Sequence, residues 1–155
     1  ADVMNLDLTT GLDGTQGIGT WTDDDNTGAL IGDIFNPSLV GVGTYTFTYT
    51  VTGGTSPCTT DTSIVTVTVN PLPTPAITGN NILCNGASTT LTASGGTSYV
   101  WSNGANVASI TVSPSTTTTY IVTVTDVNGC QASTSVIVTV NPLPNPAIIL
   151  NNINV

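Results

Sequence analysis

The sequence contains no lysine, arginine, histidine or glutamate; all nine acidic residues are aspartate, and the net charge at neutral pH is −9. A chain without bases repels nucleic-acid phosphates and anionic headgroups, both of which are held through Lys and Arg. Nucleic acid and membrane-surface partners are thereby excluded. Acid–base chemistry also loses its usual agents. Only Asp, Tyr and Cys remain as bases, and a Ser or Thr nucleophile has no partner to activate it. Paired aspartates of the glycosidase kind would have to sit in the turns of a small sandwich without an evident cleft, so the chain is expected not to be an enzyme. The missing Lys also rules out Lys–Asn isopeptide cross-links. No apolar run approaches the ~20 residues a membrane span needs. Ala1 opens into polar sequence with no basic leader, so the signal of a secreted form was removed or lies upstream. No N-glycosylation sequon occurs, since Asn36-Pro-Ser38 is blocked by its proline.

What remains is rich in Thr, Val, Gly and Ser. With Glu, Lys and Arg gone, the good helix formers are gone, and the strand and turn formers stay. This is an all-β composition. One stretch occurs twice: Asn70-Pro-Leu-Pro-Thr-Pro-Ala-Ile77 returns as Asn141-Pro-Leu-Pro-Asn-Pro-Ala-Ile148, each copy following a run of alternating Val and Thr. Proline removes backbone donors and turns the preceding residue away from helix, so each copy reads as a short, semi-rigid connector after a final strand. Recurrence at domain-like spacing means tandem units. The expected layout is a sandwich over 1–70, a linker over 71–76, a sandwich over 77–141, and a linker plus strand over 142–155. Units of roughly 70 residues are at the low end for independent folding.

In the first unit Met4, Leu6 and Leu8 alternate as a strand, Gly19 to Thr22 forms another, and Asp23-Asp-Asp-Asn26 is a turn. From Thr44 to Val51, Tyr45, Phe47, Tyr49 and Val51 share one face while Thr holds the other, which is a half-buried antiparallel strand. Gly53 to Pro57 turns the chain, and Ser63 to Val69 returns as the hairpin partner. The second unit repeats the plan with strands over 76–83, 89–93, 98–102, 108–112, 119–125 and 133–140. Trp21 and Trp101 fall at matching places, as do Tyr45 and Tyr120, and Cys58 and Cys130 at the hairpin tips. Two antiparallel sandwiches are the economical reading.

Three segments carry a family resemblance: Cys84-Asn-Gly-Ala-Ser-Thr-Thr-Leu-Thr-Ala-Ser-Gly-Gly96, Tyr99-Val-Trp-Ser-Asn-Gly104, and Thr116-Thr-Thr-Thr-Tyr-Ile-Val-Thr-Val-Thr-Asp-Val-Asn-Gly-Cys130. They resemble the Ig-like and PKD-like tandem repeats of large secreted surface adhesins of Bacteroidota, including gliding-motility adhesins. Gly19-Thr-Trp-Thr-Asp23 and Gly43 to Val51 resemble a sister repeat. The resemblance implies Ig-like sandwiches in an extracellular, cell-surface setting, serving as stalks and spacers, with no catalytic residues to carry over. One departure is that the cysteines lie outside the central strand positions of antibody domains, where Phe47 and Val122 stand. The tyrosine two residues before each can still pin a corner through its hydroxyl.

Cys84 precedes the second strand of unit two and Cys130 sits at its last hairpin. In a sandwich the two can meet at one end, and a disulfide closing that loop would stabilise by roughly 4 kcal/mol on the chain-entropy model. The alternative is reduced, buried thiols; a metal site is disfavoured with no His and no close Cys pair. Cys58 is the odd cysteine. The segment from Pro75 to Leu83 opens unit two, whereas unit one begins at its second strand, and Pro146 to Val155 repeats the opening strand with no domain behind it. Two explanations fit. Either the tail completes unit one of a neighbouring copy, with Ile148, Leu150, Ile153 and Val155 buried as a polymerising strand, or the chain is a window of a longer array. Both make it an elongated extracellular element whose partners are copies or repeats of itself.

Asp23, Asp24, Asp25 and Asp33, with Asp13, crowd the first unit, and hard oxygen ligands on loops suit calcium. The run lacks EF-hand spacing, and a solvated turn that keeps an otherwise uncharged protein soluble is the competing reading. No other cofactor is indicated. Trp21, Trp101, Tyr99 and Tyr45 can stack on sugars, which keeps a glycan-binding module in view, although their alternation with small residues favours core packing.

Overall fold

The computed structural model describes residues 5–11, 19–53 and 59–146. The fold is all-β, and the described residues hold no helix beyond two short 3₁₀ turns, Leu8–Gly11 and Pro37–Leu39. The chain divides into two compact units, Ala1–Pro71 and Leu72–Val155.

Unit one contains β1 (Leu6–Asp7), β2 (Gly19–Asp23), β3 (Leu30–Ile31), β4 (Ile34–Phe35), β5 (Gly43–Thr52) and β6 (Thr60–Val69). β5 is the central strand of a three-stranded antiparallel sheet ordered β2-β5-β6. It pairs with β6 along its whole length, from Gly43↔Val69 to Thr52↔Thr60. Its alternation is the cause. Phe47 and Tyr49 are buried, while the threonines between them face away from the core. A second small sheet, ordered β1-β4-β3, supplies Phe35, whose ring lies 4.9 Å from that of Phe47. Leu8, Ala29, Phe35 and Phe47 form the core.

The strand expected through Leu6 and Leu8 stops early. The Asp7 carboxylate accepts from the amide and the hydroxyl of Thr9, at 2.8 and 2.6 Å, and bends the chain into the 3₁₀ turn at Leu8. Leu8 still reaches the core at 5% exposure, while Met4 lies outside the described residues. The hairpin of β3 and β4 was not anticipated. Its signal is the pair of apolar dipeptides flanking Gly32-Asp33, a two-residue turn that Gly32 enters at a φ of 66°.

Unit two contains β7 (Ala76–Thr78), β8 (Ile82–Cys84), β9 (Thr89–Ser94), β10 (Ser98–Trp101), β11 (Ser109–Val112), β12 (Thr118–Thr125) and β13 (Gln131–Asn141). A four-stranded sheet ordered β10-β12-β13-β8 faces a three-stranded sheet ordered β11-β9-β7. The two share one core, with Leu83, Trp101, Val122, Val124 and Val138 from the first and Leu91, Ala93, Ile110 and Val112 from the second. This is a β-sandwich. Apolar burial of this kind contributes about 25 cal/mol per Å² removed from water.

The ladders fix how the units correspond. Trp21 stands opposite Tyr49 as Trp101 stands opposite Val122. Phe47 is opposite Val65 and Tyr120 is opposite Val136. The offset that carries Asn70 to Asn141 also carries Val65 to Val136, so Tyr120 matches Phe47 and not Tyr45. The expected pairing of the two tyrosines is therefore corrected by two residues, one full step of a period-2 strand.

Candidate functional site

The connector and the strands after it form the most distinctive construction in the molecule. The strand expected over 76–83 is two strands in two different sheets. β7 pairs antiparallel with β9, from Ala76↔Ser94 to Thr78↔Thr92, and β8 pairs parallel with β13, from Thr139↔Ile82 to Asn141↔Cys84. Gly79 makes the switch at a φ of 140°, where a Cβ would run into the Thr90 carbonyl and Leu91. Asn80 steadies the new direction by accepting from the Ile82 amide at 3.1 Å. The Thr139 amide donates to the Asn81 carbonyl and the Asn85 amide to the Asn141 carbonyl, both at 2.8 Å. The segment after the connector thus closes one edge of each sheet and sends Leu83 into the core at 6% exposure.

Unit one is built differently at this place. β6 ends its sheet, and among the described residues no strand lies along its outer edge. Its inner row, Val65, Val67 and Val69, packs only partly against the core, whereas Val138, the counterpart of Val67, is fully buried. The polymerising residues expected in the tail, Ile148, Leu150, Ile153 and Val155, lie outside the described residues, as do Cys58 and Asp13.

The expected Cys84–Cys130 disulfide is overturned. Both are free thiols, Cys84 exposed and Cys130 partly so. Cys130 immediately precedes β13 while Cys84 pairs with Asn141 at its far end. At about 3.3 Å per residue, β13 separates them by roughly 30 Å. A disulfide tolerates a Cα separation of only about 4.4–6.8 Å. Because β8 runs parallel to β13, Cys84 is carried to the end opposite the hairpin, a direction the sequence pattern did not reveal.

The aspartates work as turn and strand caps. Asp23 accepts through Oδ2 from the Thr27 hydroxyl at 2.8 Å and the Gly28 amide at 3.0 Å, shaping the loop after β2. Asp24 accepts from the Thr48 hydroxyl at 2.7 Å, and Asp25 from the Thr46 amide at 2.6 Å, so this pair clips the loop to β5. Asp33 lies in the turn between β3 and β4, where its carbonyl accepts from Leu8 at 2.9 Å. Among the described residues no three acidic or sulfur ligands gather. In unit two Asp126 receives the amides of Asn128 and Cys130, both at 2.9 Å, and so forms the turn between β12 and β13.

The aromatic residues divide. Trp101 is 2% exposed and donates its indole N–H to the Val107 carbonyl at 2.9 Å. Tyr45 donates its hydroxyl to the Gly41 carbonyl at 2.9 Å, pinning the corner that leads into β5, and Tyr99 does the same to Gly96 at 2.7 Å. Trp21 is different. It packs on Tyr49 with ring centroids 4.9 Å apart and lines a cleft of about 730 Å³ together with Asp23, Asn26, Leu30 and Asp33. Trp21 Nε1 and Asp23 Oδ1 are shut off from solvent, and neither meets a hydrogen-bond partner among the described residues. A donor and an acceptor thus stand unpaired beside one cleft, an arrangement that costs free energy. The sequence singles out Trp21, Asp23 and Asp33 separately but not their meeting at one cleft, because Leu30 and Asp33 reach it from the short hairpin of β3 and β4. No protein-family model and no curated protein matches this sequence.

Proposed function

We propose that the chain is an extracellular structural element, a stalk or filament repeat of a bacterial surface adhesin or fibre, joined head to tail through its connectors and the strands that follow them. Each sandwich is read as Ig-like. The observation that carries this reading is the fate of the first connector: the residues after Pro75 close both sheets of the unit that follows. The second connector, Asn141 to Pro146, is followed by Ala147 to Val155, which repeats that sequence closely. A module whose connector ends in the opening strands of a unit is suited to serial joining, and main-chain pairing fixes its register. The strand carrying Ile148, Leu150, Ile153 and Val155 is then the link to the next unit. Immunogold labelling of intact source cells with antibodies against the chain tests the setting. Surface label along extended structures is the expected result; label confined to the cell interior contradicts it.

A second reading rests on the cleft beside Trp21. The Trp21 ring with the polar side chains of Asp23, Asn26 and Asp33 around it suits a neutral sugar, which offers an apolar ring face together with hydroxyls, and the absence of any base disfavours an anionic one. Calorimetric titration with neutral oligosaccharides, repeated on Trp21→Ala, measures it: heat lost in the variant supports glycan binding, and no heat with either protein ends this reading.

A further inference from the structure

We infer that the outer edge of β6 in unit one, at Thr68, Val69 and Asn70, is an acceptor for the tail of a second copy, which adds in parallel and in a register one residue away from that of β8. This rests on the reading of the chain as a serially joined element and names the contact that joins it. The offset that carries Asn70 to Asn141 makes Thr68, Val69 and Asn70 the counterparts of Thr139, Val140 and Asn141, the residues that hold β8 in unit two. In unit two that edge is occupied, its Thr139 amide and Asn141 carbonyl are bonded at 2.8 Å, and Val138 is fully buried. In unit one the same edge ends the sheet, and Val65, Val67 and Val69 are only partly covered. A strand edge with no neighbour among the described residues, beside a half-covered apolar row, has the shape that an added strand completes. The sequence with the matching chemistry is the one that follows a connector, and the second connector leads into it.

The register follows from which residues face inward. Aligned on the connectors, Ile153, Asn154 and Val155 correspond to Ile82, Leu83 and Cys84. In unit two Leu83 points into the core, while Ile82 is 58% exposed and Cys84 is exposed as well. A direct copy of that pairing would bury Asn154 and leave Ile153 and Val155 in water. The same alignment sets Leu150 at the place of Gly79, where there is no room for a Cβ. Shifting a strand by one residue exchanges its faces. With Val155 opposite Val69 and Ile153 opposite Val67, both apolar side chains turn inward and Asn154 turns to solvent. The edge amide of Thr68 keeps its bonding role, now toward the Ile153 carbonyl, because the acceptor strand has not moved.

The test uses the full chain carrying Ile153→Asp and Val155→Asp as an acceptor unable to donate its own tail, and a fluorescent peptide of residues 146–155 as the donor. Anisotropy should show saturable binding. The peptide should lose more than about tenfold in affinity on Val155→Asp, the scale set by removing one buried valine, and change little on Asn154→Asp. Thr68→Pro in the acceptor removes the edge amide at a position where an edge strand tolerates proline, and should abolish binding. Peptide that never binds overturns the acceptor assignment. Binding that survives Val155→Asp but is lost on Asn154→Asp overturns the register. If the peptide binds while the parent chain forms no filaments, the acceptor edge and its register stand, and the joining of separate copies through them is overturned.

Discussion

At the scale of single residues, hydrogen bonding explains what side-chain type alone did not. Trp21 and Trp101 look equivalent in the sequence, and the ladders do place them equivalently. They differ because the Trp101 indole finds the Val107 carbonyl and the Trp21 indole finds no such partner among the described residues. Trp101→Ala is expected to destabilise unit two by about 3–5 kcal/mol, the range for removing a large buried aromatic, and urea unfolding followed by circular dichroism measures it. Asp7 provides a pH handle. The Thr9 hydroxyl, and then the Thr9 amide, hold its carboxyl below the ordinary carboxylate range. Its folded pKa is therefore lower than its unfolded one. The contribution to stability is present above the unfolded value and is lost as the pH falls through the folded one. Carbon-detected NMR titration of Asp7 should show that lowered midpoint, and Thr9→Ala should return it toward the ordinary value.

At the scale of elements, the strands with clean period-2 alternation were legible and the direction of pairing was not. β5, β6, β12 and β13 follow from alternating Val, Thr and aromatic residues. The short strands β3 and β4 escaped the pattern because two residues cannot display a period, whereas the strand expected through Leu6 is present as β1 and is cut short at Leu8. The expected disulfide failed for a topological reason: periodicity says that Ile82 to Cys84 is extended, but not that it runs parallel to β13. The division of the opening segment into β7 and β8 turns on Gly79, whose sequence context, Thr78-Gly-Asn80, reads only as a break. Gly79→Ala forces a side chain into a positive-φ site against the Thr90 carbonyl. A loss of about 1–3 kcal/mol is expected, with amide exchange speeding up at Thr139 and Asn85 as β8 loosens. Exchange unchanged at those amides would mean that Gly79 does not govern the crossing between sheets.

At the scale of the whole molecule, composition was enough for the all-β class, and the repeated connector for the division of the chain, whose boundary falls between Pro71 and Leu72. The two units differ in how far their final hairpin is covered. β13 is flanked on both sides, whereas β6 ends its sheet. The site itself was only half legible. The segment proposed as donor is visible as a repeat, but the acceptor proposed for it is a strand edge, and which strand ends a sheet depends on strand order. The measurement that bears most directly on a joined structural element is electron microscopy of the purified chain beside a version ending at Asn141. The full chain should form filaments that vanish on truncation, with Ile148 to Val155 as the joining strand. If both remain isolated single particles at every concentration, assembly through the tail is contradicted.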